Sequence, residues 1–289
     1  MIALTGYSGF LGQHLKDLGN GAIKIGRSAD ADWKFDLASD LNQIPRKKVT
    51  DPEIELFIHA AGLAHTVPKT DEEKQRFFEV NTRGTERLME ALKEAEWKPK
   101  KFLFISTIAV YGEPFDEDRC VPPYPSEKEA QELELSPYGR SKWEAERIVQ
   151  RYCEKWNCVC IVWRLPLIVG ENAPGNLGAM EKAIRKGYYF RIGNSYERFR
   201  YYVNIEELGR KVLDLLQEPS AGLAGSKTLN VFSGRKSYGE FEDEIAATYG
   251  RKIKSLPLWL VRMIAKVGDW IPGFPLNSYR LDKLVNSSS

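Results

Sequence analysis

The chain has 289 residues, 43% hydrophobic and 28% charged, and its 42 Lys and Arg against 40 Asp and Glu leave a formal net charge of +2. At the usual ~150 residues per domain, that length suits two domains or one large α/β unit with an attached lobe. The near balance of charge provides no overall cationic field, so no nucleic-acid partner is expected. Cys120, Cys153, Cys158 and Cys160 are too few for a disulfide framework and lack a zinc spacing. They are read as reduced thiols, with no metal site. Neither a basic leader nor a small-residue cleavage site opens the chain, and a cytoplasmic location is expected.

Strand-like and helix-like segments alternate through the first two-thirds. Ile2-Ala3-Leu4-Thr5 reads as a strand, Phe10 to Leu18 as a helix, and Ala22-Ile23-Lys24-Ile25 as a second strand. Further apolar runs are Leu56 to His59, Phe102 to Ile105 and Val159 to Trp163. Short apolar runs separated by helix-length amphipathic segments are what a parallel sheet covered on both faces requires. The fold class is therefore α/β, a doubly wound parallel sheet of Rossmann type with a smaller C-terminal lobe.

From about Leu165 the rhythm changes to Gly-, Pro- and Asn-rich stretches, with an amphipathic helix over Ile205 to Leu216 and a short strand over Thr228 to Val231. The domains are assigned as 1–168, with 201–232 returning to it, and a lobe of 169–200 and 233–289. Leu256 to Ile271 is interrupted by Arg262, Lys266 and Asp269 and falls short of the ~20 apolar residues of a membrane span. The helix expected over Pro257 to Trp270 is a lobe helix that covers the substrate pocket or forms a subunit contact, or it docks on a membrane surface. Ser287-Ser288-Ser289 ends the chain abruptly, as in a shortened chain.

Gly6, Gly9 and Gly12 stand between the first strand and the first helix. There a tight turn, backbone approach to a pyrophosphate and close helix–strand packing each favour glycine. The second strand ends Ile25-Gly26-Arg27-Ser28 rather than on an acid, which suits a 2′-phosphate and favours NADP(H) over NAD(H). Asp36 and Leu37 follow a third short strand and are candidates for the adenine. Tyr138 and Lys142, four residues apart, share one face of a helix, where the cation lowers the phenol's pKa toward a general acid/base range. Thr107, at the carboxyl end of a buried strand, is placed to hold the reacting oxygen.

TGYSGFLG (5–12), HAAG (59–62), Asn81 in NTRGT, STIAVYG (106–112), YGRSK (138–142), Arg164-Leu165-Pro166, Gly175-Asn176-Leu177 and Arg200-Tyr201-Tyr202-Val203 occur in one order. In that order they resemble the extended short-chain dehydrogenase/reductase family, in its nucleotide-sugar branch. The resemblance implies that Gly6, Gly9, Phe10, Leu11 and Gly12 hold a pyrophosphate. It implies further that Ala60, Ala61 and Gly62 line the adenosine side and that Asn81 orders the active-site backbone. Leu165 and Pro166 would lie against the nicotinamide, Lys142 would bond a ribose hydroxyl, and Thr107, Tyr138 and Lys142 would be catalytic. Asn176, Leu177 and Arg200 would contact the diphosphate of a UDP- or dTDP-linked substrate.

Ile108 and Ala109 stand where dehydratases of this branch carry an Asp-Glu pair, so water elimination is not expected. What remains is hydride transfer at C4 of a hexose. A reductase of 4-keto(-6-deoxy) sugar nucleotides in surface-polysaccharide synthesis is favoured; the alternative is a UDP-glucose or UDP-N-acetylglucosamine type 4-epimerase with retained NAD. A non-catalytic dinucleotide-binding module and a reductase of steroid or flavonoid ketones are the remaining readings. A homodimer is implied by the resemblance.

Overall fold

A computed structural model describes residues 1–17, 21–40, 42, 44–64, 66–112, 115, 118, 120–122, 124–219, 225–270 and 278. In chain order the first elements are β1 (Ile2–Thr5), α1 (Phe10–Leu15), β2 (Ala22–Gly26), β3 (Trp33–Lys34), β4 (Leu56–His59), α2 (Asp71–Phe77) and α3 (Gly84–Glu94). They continue with β5 (Lys101–Thr107), α4 (Glu127–Glu132), α5 (Pro137–Trp156), β6 (Val159–Leu165), β7 (Leu167–Val169), α6 (Gly175–Lys186) and β8 (Phe190–Ile192). The last are β9 (Phe199–Asn204), α7 (Ile205–Gln217), β10 (Ser226–Asn230), β11 (Gly234–Ser237), α8 (Tyr238–Thr248), β12 (Lys254–Leu256) and α9 (Leu258–Gly268).

Two compact units divide these elements: Met1–Gly170 with Val203–Phe232, and Glu171–Tyr202 with Ser233–Ser289. The first unit holds, among the described residues, a seven-stranded sheet in the order β10-β6-β5-β4-β1-β2-β3, every neighbouring pair parallel. Strand order reverses between β1 and β4, where open α/β sheets bind ligands at the carboxyl ends of their strands. Thr5, His59 and Thr107 occupy those ends of β1, β4 and β5.

Alternation along the strands distributes the core. Phe57, Phe102 and Phe104 join Leu88, Met89, Ile148 and Val149 on the face covered by α3 and α5, while Ile58, Leu103 and Ile105 join Leu11, Leu15, Leu208 and Val212 on the face of α1 and α7. Phe57 and Phe102 stack at 4.9 Å between centroids. Each such buried side chain contributes ~1.5–3 kcal/mol relative to exposure.

Several element ends depart from the sequence reading. The helix expected to Leu18 stops at Leu15 because the carbonyl of Lys16 accepts from the Ala22 N–H, turning the chain into β2; Leu18 itself lies outside the described residues. β6 runs on to Leu165 because it pairs with β5 as far as Thr107. β10 starts two residues early, at Ser226, opposite Cys160, and ends at Asn230. The helix expected to Trp270 ends at Gly268; Ile271 and the terminal serines lie outside the described residues.

In the second unit β11 pairs antiparallel with β9, setting Lys236 opposite Arg200, and β12 pairs parallel with β8. Its polar centre is the buried Glu242. That carboxylate accepts from Tyr189 at 2.8 Å, Ser195 at 2.8 Å and Arg191 at 2.5 Å, so a charge that would be costly alone is fully bonded.

Candidate active site

The turn after β1 is built around Gly6, whose φ of +75° is open to glycine at little cost. A Cβ on Gly6 would lie 2.6 Å from the Ala61 nitrogen, and one on Gly12 would lie 2.0 Å from the Gly6 carbonyl oxygen. Side chains are thus excluded where α1 and the Ala60-Ala61 backbone close on the turn. Gly9 caps α1 without a side-chain bond. Leu11 is buried in the core and Phe10 packs beside it, so these two offer a pyrophosphate backbone N–H groups only. This backbone cradle, which a Cβ would fill, fits a dinucleotide diphosphate.

A chain of buried polar side chains runs behind the turn. The Ala61 N–H donates to Thr5 Oγ1 at 3.2 Å, Thr5 Oγ1 lies 2.7 Å from His59 Nδ1, His59 Nε2 lies 3.0 Å from Thr85 Oγ1, and Thr85 donates to the Asn81 carbonyl at 2.6 Å. These directions close only with the His59 proton on Nε2 and Nδ1 accepting from Thr5. Asn81 extends the chain, accepting from Leu63 N–H at 2.7 Å and donating to Ser141 Oγ at 3.0 Å. It sits in a π-helical turn, Phe78–Arg83, of the kind often found at functional sites. Sequence reasoning missed Thr5, Thr85 and Ser141 because their partners are 26 to 60 positions away.

Burial, reinforced by the positive charge of Lys142, lowers the His59 imidazole from 6.5 to about 3. Between those values the unfolded chain binds a proton that the native chain does not, so stability is complete above pH 6.5 and falls as the pH drops below it. His59→Gln is expected to flatten this acid limb by up to ~1.4 kcal/mol per pH unit. Urea midpoints from pH 7 to 4 measure it; equal slopes in both proteins would show that His59 is not held neutral.

Thr107 ends β5 and accepts from the Ala109 N–H at 3.2 Å, closing a single 3₁₀ turn over Ile108–Tyr111. Ser136 caps α5, accepting from the Gly139 N–H at 3.1 Å, with Pro137 at the first position. Tyr138 and Lys142 therefore lie on the first turns of a 20-residue helix rather than on an isolated amphipathic stretch. At Gly139 the helix nearly touches the Thr107 turn: a Cβ there would lie 2.3 Å from the Ala109 carbonyl oxygen. Thr107 and Tyr138 are brought into hydrogen-bonding reach of each other. Lys142 Nζ lies 4.0 Å over the Phe104 ring, and a Cβ on Gly62 would be 3.9 Å from it.

The expected electrostatics of this pair is corrected. Burial pushes the Tyr138 phenol up to about 12, opposed by its bond to Thr107, and Lys142 is not among the causes. Burial likewise pulls Lys142 down to about 7, opposed by the charge of Glu146. Desolvation dominates both groups because each is closed off from water. At neutral pH the amine that titrates is Lys142.

Behind these groups lies an ion pair that sequence reasoning also missed. Arg164 Nη2 donates to Glu146 Oε2 at 2.7 Å and Nε to Oε1 at 3.1 Å, with both side chains almost fully buried. Ser106 donates to Glu146 Oε1, and Arg164 Nη1 to the Tyr124 carbonyl. Arg164 also lies over the Tyr111 ring at 4.8 Å. The i,i+4 spacing of Lys142 and Glu146 was the available signal.

The remaining candidate residues belong to other elements. Leu165 is the register partner of Thr107 and buried, with Pro166 directly after it. Arg27 is three-quarters exposed and 3.9 Å from Asp36, while Lys34 Nζ donates to the Ser28 and Ala29 carbonyls at 2.5 and 2.7 Å. Leu37 packs into the core. Asn176 and Leu177 belong to the start of α6, exposed and buried respectively, and Arg200 to β9, where its guanidinium lies 5.3 Å over the Tyr238 ring.

Comparison with known proteins agrees with this layout. Residues 2–231 match the NAD dependent epimerase/dehydratase family. The chain is 28% identical over 194 residues to a dTDP-D-glucose 4,6-dehydratase of Dictyostelium discoideum, covering 58% of this chain and 44% of that one. It is 24% identical over 267 residues to a UDP-glucose 4-epimerase of Lacticaseibacillus casei, covering 82% and 76%. The structure of RMD from Pseudomonas aeruginosa complexed with NADPH superposes with a TM-score of 0.66 at 22% identity, covering 89% of this chain and 84% of that one. The glycine turn, the parallel sheet and the matched span together place this chain in the NAD dependent epimerase/dehydratase family, the nucleotide-sugar branch of the extended short-chain dehydrogenases/reductases.

Proposed function

We propose that the chain is an NADP(H)-preferring reductase acting at C4 of a 4-keto hexose carried on a nucleoside diphosphate. The observation that carries this reading is the end of β2. Arg27 and Lys34 are basic there, with Asp36 3.9 Å from Arg27, while the acids Asp30 and Asp32 are engaged by Tyr7 at 2.8 Å and by the Lys24 N–H at 2.7 Å. Such an end suits a 2′-phosphate better than a free 2′-hydroxyl. Ile108 and Ala109, directly after Thr107, can neither take nor give a proton, which speaks against dehydration.

The bound dinucleotide would supply the hydride. Thr107 aligns the ketone oxygen, Tyr138 donates a proton to it, and Lys142 in its ammonium form favours the resulting phenolate. Gly6, Gly9 and Gly12 admit the diphosphate, while Arg27 and Ser28 face the adenosine end. Asn176, Leu177 and Arg200 remain the proposed contacts for the substrate diphosphate.

The second reading, a 4-epimerase with retained NAD, is favoured by the Lacticaseibacillus relative, which shares most of its length with this chain. Purified protein is to be mixed with a UDP-linked 4-keto-6-deoxy hexose and NADPH while nicotinamide absorbance is followed. The reductase consumes one NADPH per sugar reduced. Tightly bound NAD released on denaturation, with no net consumption, would overturn it in favour of the epimerase. Arg27→Ser is expected to weaken NADPH binding ~10–100-fold with little change for NADH, the loss of one charge-assisted contact. Equal losses for the two cofactors would remove Arg27 from the 2′-phosphate site.

A further inference from the structure

The helix α9 of the second unit is apolar on two opposite sides. The inner side of α9 is satisfied: Val261 and Ala265 are fully buried and pack with Ile192 and Leu256. The outer side carries Trp259, Met263 and Val267, each more than half exposed, and Trp270, just past the helix end, is 89% exposed. A surface helix ordinarily turns polar residues outward. At 100° per residue, Trp259, Met263, Val267 and Trp270 fall on one stripe, with Arg262 and Lys266 along its flank. Residues 251–270 hold five basic side chains, Arg251, Lys252, Lys254, Arg262 and Lys266, against the single acid Asp269, a local charge of +4 in a chain whose total is +2.

We propose that the outer face of α9 is an anchor for an anionic phospholipid surface, with Trp259, Met263, Val267 and Trp270 entering the headgroup boundary and Arg262 and Lys266 lying on lipid phosphates. Tryptophan suits that boundary, being apolar over most of its area with one hydrogen-bond donor. Basic residues beside an apolar stripe are the composition of helices that lie in the plane of a membrane. No described helix is long and apolar enough to cross one, so α9 lies on the surface. Charge selects lipid over a second copy of the chain. A two-fold contact through this face would bring Arg262 and Lys266 toward their own counterparts, with Asp269 as the only acid of the segment. This anchor is independent of the reductase reading, and its test involves no turnover.

The test is co-sedimentation of the full chain with vesicles of equal parts phosphatidylglycerol and phosphatidylethanolamine, and with vesicles of phosphatidylcholine alone, at low and high salt. The expected result is binding to the anionic vesicles, weakened by salt, with a blue shift of tryptophan emission. The pair Arg262→Glu and Lys266→Glu should weaken partition at least ~10-fold. Trp259→Ser with Trp270→Ser should abolish the blue shift, and circular dichroism should show both variants folded. Protein that stays in solution with both vesicle types would overturn the proposal. So would vesicle binding that ignores all four substitutions, since another surface would then be responsible. A dimer that the same substitutions dissociate, without vesicle binding, would assign the face to a second copy instead.

Discussion

Tyr138→Phe is expected to lower kcat by ~10²–10⁴-fold, the range of a lost general acid, while leaving the dissociation constant for NADPH nearly unchanged. The substitution removes one oxygen. The ring keeps its contact with Phe77, 5.9 Å away between centroids, so little stability is lost with the oxygen. With its pKa pushed to about 12, the buried phenol is protonated at neutral pH, the form that the proposed donation to a ketone oxygen requires. It is far from ready to release that proton unless a positive charge appears beside it. On the proposed mechanism the charge available is the ammonium of Lys142, which burial lowers to about 7, and the expected pH dependence of turnover is then that of the amine rather than the phenol. Turnover can be followed by NADPH absorbance, and binding by quenching of protein fluorescence. Near-normal turnover in the variant would remove Tyr138 from the chemistry, and a parallel loss of NADPH binding would make its role structural.

Legibility in the sequence followed the range of the interactions. The doubly wound sheet was readable because each central strand is a short, fully buried apolar run, and burial on both faces is a local property of composition. Gly6, Gly9 and Gly12 were readable because a β–turn–α crossing needs them within seven residues. Placing Tyr138 and Lys142 one turn apart on a helix, and Thr107 at a strand end, needed only local spacing. Their ionisation was misread, since spacing does not report solvent: burial outweighs the mutual charge effect that i,i+4 geometry suggested. The chain Thr5, His59, Thr85, Asn81 and Ser141 was invisible as a network: Thr5, His59, Asn81 and Ser141 stand in recognisable motifs, but the bonds that join them span positions dozens of residues apart. Lys34 was missed for a related reason, since only the short β3 returns it to the Ser28 and Ala29 carbonyls.

Glu146→Gln is expected to have the second large effect, because it leaves the Arg164 guanidinium buried without its counter-charge. Breaking a buried pair by removing one partner costs ~3–5 kcal/mol, whereas removing both charges costs far less. The glutamine can still accept from Ser106 and Arg164, which holds the loss toward the lower end, and the double variant Glu146→Gln with Arg164→Met should recover part of it in urea denaturation. A second readout separates electrostatics from mere loosening. Glu146 is the negative charge that opposes the desolvation of Lys142, and its removal also exposes that amine to an uncompensated Arg164. Both changes act in one direction, lowering the Lys142 pKa below about 7. Activity that needs the ammonium is lost as the pH rises through that pKa, so the alkaline limb of kcat/KM should move to lower pH in the single variant. A purely structural role would reduce the amplitude of the profile and leave its midpoint in place. An unmoved midpoint would therefore separate Glu146 from Lys142, whatever the stability measurement shows.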